Sequence, residues 1–179
     1  SAEDIEPGKS ASIEATLKPG FYELACFVRG KNPSGRTYVH FSKGQFFTLA
    51  VTGPGGPSAD VVKPASTMTV QMSPGTGDLS NSWLFVPDKL VVNAGDVTFK
   101  VTNNMKEAHD VTVHPVTDYA SINEATELIL DLGAGKTDTK TMKLTPGVWV
   151  AVCLIVSKNA DGSSFIHMER AQRIVFTVK

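Results

Sequence analysis

Cysteine is scarce in this sequence: Cys26 and Cys153 are the only two in 179 residues. A framework of disulfides is therefore excluded as the source of stability, and the fold must rest on an apolar core. An excess of charge of either sign is also missing. Lys+Arg number 17 against Asp+Glu 18, with no basic block. A nucleic-acid partner needs a concentrated positive face to release counterions, so none is expected. Long hydrophobic runs are missing too. The stretch from Val148 to Val156 has the length of a strand and cannot cross a bilayer. No signal peptide is evident, so the chain is expected to be cytoplasmic or already trimmed. Gly133-Ala-Gly-Lys-Thr137 has part of a phosphate-loop pattern, but Leu130 stands where that frame needs glycine. No Ser-His-Asp order is compelling, and four scattered histidines make no catalytic cluster. An enzyme is not expected.

What is present is a self-similar pattern. Leu17-Lys-Pro-Gly-Phe-Tyr-Glu-Leu-Ala-Cys26 matches Leu144-Thr-Pro-Gly-Val-Trp-Val-Ala-Val-Cys153. Cys26, His40 and Gln45 recur 127 positions later as Cys153, His167 and Gln172. Residues 1–52 thus lie over the last 52 without a gap, and the proline- and glycine-rich 53–59 reads as a linker. The front half of the unit occurs once, within 60–179. Half a β-sandwich would expose strand edges and half a core. The native chain is therefore expected to extend upstream of Ser1. The alternative is that the half-unit borrows strands from another copy, giving a swapped homodimer. Equivalent positions in successive units lie a domain apart, so a Cys26–Cys153 disulfide is not expected.

The complete unit is patterned as strands. Met68, Val70 and Met72 alternate on one face, and further strands are predicted at 83–87, 89–92, 97–102, 109–113, 128–132 and 137–144. Ser121-Ile-Asn-Glu124 has capping-box spacing, which predicts a short helix near 121–127. Asn159-Ala-Asp-Gly162 suits a type I turn followed by a left-handed glycine. That turn pairs Asn159 with Ser163 and Val156 with Ile166, and it sets His167 opposite Ile155 on the side of Cys153. His114, five residues after His109, is expected to point to the opposite, solvent-facing side. Met168 is expected to pack rather than ligate.

With these residues laid out, the chain resembles the cupredoxin family. The resemblance is carried by Phe85-Val-Pro87, Leu90-x-Val92-x-Ala94-Gly95-x-Val97-Thr98-Phe99-x-Val101-x-Asn103 and His109-Asp110. It continues through Leu144-x-Pro146-Gly147-x-Trp149 to Cys153 and His167. It implies an all-β Greek-key sandwich or barrel, cupredoxin-like, complete over 60–179. It also implies a type 1-like mononuclear copper site: His109 and His167 as imidazoles, Cys153 as thiolate, and Gln172 where the family usually has an axial methionine. Electron transfer or copper carriage would follow, in the periplasm or outside the cell, with a redox or copper-donor protein as partner. The departure is the loop. Thirteen residues separate Cys153 from His167, a longer loop than familiar blue-copper sites carry. The His-x-His pairs of multicopper oxidases are absent. The alternative function is a metal-free extracellular structural or interaction module with buried cysteines. On this chain Cys26, His40 and Gln45 form an incomplete site.

Overall fold

The computed structural model describes residues 5–35, 37–75, 82–116 and 127–179. Within them lie fifteen strands and no α-helix. The predicted helix over 121–127 falls outside the described residues, except for Glu127, which opens a strand.

Two sheets face each other. One has the order β10(Glu127–Leu132), β9(His109–Pro115), β12(Gly147–Val152), β15(Arg173–Val178), β7(Val91–Val92). The other has the order β11(Thr137–Leu144), β8(Gly95–Asn103), β5(Thr67–Pro74), β6(Trp83–Pro87). β5–β8 and β15–β7 pair in parallel while their neighbours run antiparallel, so the chain crosses between sheets. This is a β-sandwich of Greek-key type. Alternation explains the layering. Met68, Val70 and Met72 of β5 and Val97, Phe99 and Val101 of β8 all face inward and are inaccessible to solvent. They meet Ala151, Ile174 and Phe176 from the other sheet, with Phe99 and Phe176 edge to face. Each such side chain contributes roughly 1.5–3 kcal/mol by leaving water. Gly133 to Lys136 forms the tight turn that carries the chain from β10 in one sheet to β11 in the other, and not a phosphate loop.

The five-stranded sheet is covered on its outer side as well. Val150, Val152, Met168 and Val175 form a second apolar cluster there, with Phe46 packed on it. His114 pairs across from Val150 on that side and is 4% exposed. The expectation of a solvent-facing His114 is thus corrected: period-two reasoning assumes one wet face, and this sheet has none at that point.

The N-terminal region forms β1(Gly20–Ala25), β2(Arg29–Lys31), β3(Thr37–Val39) and β4(Phe46–Val51), with β1 paired to β4 and β2 to β3. β4 lies against β15 beside β7, where the Thr48 hydroxyl accepts a hydrogen bond from Val175 N–H at 3.0 Å and so caps an open strand edge. The Arg173 guanidinium reaches Glu23 of β1 and stacks on Phe41 and Phe46. A cavity of about 490 Å³ remains between the two regions, lined by Phe21, Tyr22, Leu84, Val86 and Ile174 among others. The inner face of β1–β4 is uncovered. Leu24 and Phe47 are 54% and 56% exposed, while Ala151 and Ile174, their counterparts 127 positions later, are 1% and 2% exposed.

Among the described residues two non-glycine positions have positive φ, Asp131 at 47° and Ala171, and alanine tolerates it less well than aspartate. Ala171 has φ 71°, a left-handed conformation that costs a residue with a side chain roughly 1–2 kcal/mol. Gly44 holds the matching position at φ 90°. Ala171→Gly should therefore raise stability by about 0.5–1 kcal/mol, the relief of strain exceeding glycine's added chain entropy. Thermal unfolding of the two proteins checks this.

Candidate metal centre

Antiparallel pairing brings the start of β9, the end of β12 and the start of β15 to one end of the sandwich. His109 opens β9, Cys153 follows β12, and Gln172 precedes β15. Their backbones are tied together. Cys153 N–H donates to Gln172 O at 3.1 Å, and Met168 N–H donates to Cys153 O at 3.0 Å. Asp110 Oδ1 accepts from Leu154 N–H at 2.8 Å, fixing β9 to the residue after the cysteine.

The long loop is itself a hairpin. Asn159 N–H donates to Ser163 O, Gly162 N–H donates to Asn159 O, and β13(Val156–Lys158) pairs β14(Ser164–Ile166) with Val156 opposite Ile166. His167 N–H then donates to Ile155 O at 3.0 Å. The register expected from the turn is the register observed. The thirteen intervening residues return the imidazole to the cysteine instead of carrying it away.

The result is a buried triangle of donor atoms. Cys153 Sγ lies 3.8 Å from His109 Nδ1 and 3.5 Å from His167 Nδ1, and the two nitrogens are 2.9 Å apart. Among the described residues this is the one cluster of three or more His, Cys, Asp or Glu able to hold a metal ion. Bonds of roughly 2.0–2.3 Å to nitrogen and sulfur let one ion reach all three atoms across edges of this size. Gln172 is fully buried and lies against both imidazoles, close enough to favour their charged forms. Yet neither its Oε1 nor its Nε2 makes a hydrogen bond of ordinary geometry. A buried amide left this way costs roughly 1–3 kcal/mol per group unless something else engages it. The donor set and the orphaned amide fit a bound metal.

Electrostatics keep these side chains neutral. Burial, and after it the neighbouring His109, lowers the His167 pKa to about 4. Burial likewise lowers that of His109. Burial and then the Asp110 charge push the Cys153 thiol up, so the thiol keeps its proton until a cation displaces it. Met168 is buried in the outer apolar cluster, as expected of a packing residue. Both cysteines are free.

Three supporting residues were not singled out in the sequence. Trp83 of β6 covers both imidazoles, its ring centroid 4.1 Å from that of His167 and 5.4 Å from that of His109. Ser157 Oγ lies 2.7 Å from His167 Nε2. The Asn103 amide donates to Glu107 O and Leu132 O and accepts from Met105 N–H, bracing the turn before His109. The alternating pattern 155–157 could have placed Ser157 near the hairpin's histidine. Nothing in the sequence links Trp83 to residues in the other sheet.

The fold is cupredoxin-like. Its sheet order carries His109, Cys153 and His167 to one point, in the chain order noted above. Similar solved structures include reduced auracyanin from the photosynthetic bacterium Roseiflexus castenholzii, at 16% identity and TM-score 0.46, over 65% of this chain and 98% of that one. Auracyanin A, a blue copper protein of Chloroflexus aurantiacus, is 16% identical with TM-score 0.38, over 63% of this chain and 99% of that one. A multicopper oxidase is 11% identical with TM-score 0.41, and the match spans 46% of its length. No family model and no curated protein matches the chain.

Proposed function

We propose that the chain binds one copper ion through His109, Cys153 and His167, with Gln172 as a weak axial donor, and serves single-electron transfer or copper carriage. The observation that carries this is the convergence of one sulfur and two imidazole nitrogens, all buried, beside an amide with no other partner. Copper held by such a set supplies a one-electron couple whose potential follows the axial donor. The protein's own part is to hold the donors still. With Nδ1 of His167 turned to the ion, its Nε2 carries the proton and donates to Ser157 Oγ, which fixes tautomer and ring angle. Asp110 and Asn103 anchor the two strand ends. Trp83 and Phe165 cover the rings and keep water away, so a change of charge reorganises little.

The unit at work is 60–179, joined by 53–59 to the half-unit 1–52. A redox or copper-donor protein is the partner, outside the cytoplasm. Catalysis is not part of this reading. The exposed Leu24 and Phe47 favour a second role as an interaction module, with the half-unit as the contacting part.

Tryptophan emission tests the reading in the Cys26→Ser protein. Copper should quench part of it, saturating at one equivalent, because Trp83 lies against the ligands. Trp83→Phe should remove the quenching and keep the uptake. Absence of saturable uptake overturns the reading. Ser157→Ala should weaken copper binding by about 10–100-fold, as loss of an orienting partner does. The metal-free protein should lose no more than about 1.5 kcal/mol, measured by urea unfolding.

A further inference from the structure

Cys26 and His40 stand in the same backbone frame as the buried pair. Cys26 N–H donates to Gln45 O at 3.0 Å, Phe41 N–H to Cys26 O at 2.9 Å, and His40 N–H to Val28 O at 2.9 Å. Each bond has its counterpart 127 positions later around Cys153 and His167. The donor atoms are set the same way: Cys26 Sγ lies 3.6 Å from His40 Nδ1, against 3.5 Å in the buried pair. Tyr38 stacks on His40 as Phe165 stacks on His167.

The surroundings differ. Cys26 and His40 are half-buried where Cys153 and His167 are buried, and Gln45 is exposed where Gln172 is not. Gly30 takes the place of Ser157, and a Cβ there would lie 2.7 Å from the Tyr38 ring. Among the described residues no third His, Cys, Asp or Glu joins the pair. Two donors are held ready, and the remaining positions face solvent.

We propose that Cys26 and His40 form an open copper(I) site, through which the chain exchanges the ion with a soft-ligand donor outside it. A thiolate beside an imidazole selects copper(I) over harder cations. Bonds of roughly 2.0 and 2.3 Å let both atoms reach one ion across their separation. Copper(I) accepts two donors from the protein and leaves a place for a third, which a donor's thiolate or thioether fills during hand-over. On arrival the Cys26 thiol loses its proton to solvent, a Cu–S bond forms and the bond to the outside donor breaks. The ion stays copper(I), and no electron moves. The role in carriage rests on the copper reading above, but the binding itself does not.

Anaerobic copper(I) titration against a chromogenic chelator tests the site. The intact chain should take up two equivalents, and Cys26→Ser and Cys153→Ser one each. In the Cys153→Ser background, His40→Ala should weaken binding by at least about tenfold, since a lost ligand costs no less than a lost orienting partner. No uptake by Cys153→Ser, or equal affinity with and without His40, overturns the open site, the latter revealing a solitary thiol. A single equivalent removed by Cys26→Ser but not by Cys153→Ser would uphold the open site and defeat the buried one.

Discussion

Cys153→Ser is expected to abolish the visible colour of the copper(II) protein and to weaken its copper binding by more than about 100-fold. Loss of a partner that merely orients a ligand costs about 10–100-fold, and Cys153 in the proposed site supplies a ligand atom itself. A serine hydroxyl does not ionise near neutral pH, and its oxygen is a harder donor than sulfur. The intense thiolate-to-copper(II) transition has no counterpart without the sulfur. The fold should survive, because serine is close in size to cysteine, and burying its hydroxyl unpaired costs about 1–3 kcal/mol. Absorption and equilibrium dialysis of the variant in a Cys26→Ser background check both parts.

Glu23→Ala is expected to destabilise the protein by about 2–3 kcal/mol, although Glu23 is not among the proposed donors. Arg173 is almost wholly buried, donates to Met168 O and packs on Phe41 and Phe46, so its charge is committed to the interior. Removing the carboxylate leaves that charge without a counter-ion, which at a fully buried pair costs about 3–5 kcal/mol. Glu23 keeps 23% of its side chain exposed, so water offsets part of the loss. The corresponding fall in Tm is about 4–12 °C for a chain of this length. The double variant Glu23→Ala, Arg173→Met should be no less stable than Glu23→Ala alone, because it removes the stranded charge and keeps an apolar stem. A change below about 0.5 kcal/mol on Glu23→Ala would show that the pair is merely superficial.

The fold was readable where alternation and turn chemistry coincide. Met68, Val70 and Met72 marked β5, and Asn159 to Gly162 set the register that turns His167 toward Cys153. The candidate metal set of His109, Cys153, His167 and Gln172 came from the cupredoxin resemblance, with the repeated spacing of Cys153, His167 and Gln172 beside it. Residues acting across sheets were not readable. Trp83 reaches the imidazoles from the opposite sheet, and Asn103 braces a turn through contacts with residues up to Leu132. His114 was misplaced because its burial comes from a packed second face, which a single strand's periodicity does not reveal.

The most direct measurement is a copper(II) titration of the Cys26→Ser chain followed by visible absorption, with Cys153→Ser alongside in the same background. The account predicts an intense band rising to one equivalent in the first protein and absent in the second. A colourless protein with no stoichiometric uptake, loaded from either oxidation state of copper, would contradict it.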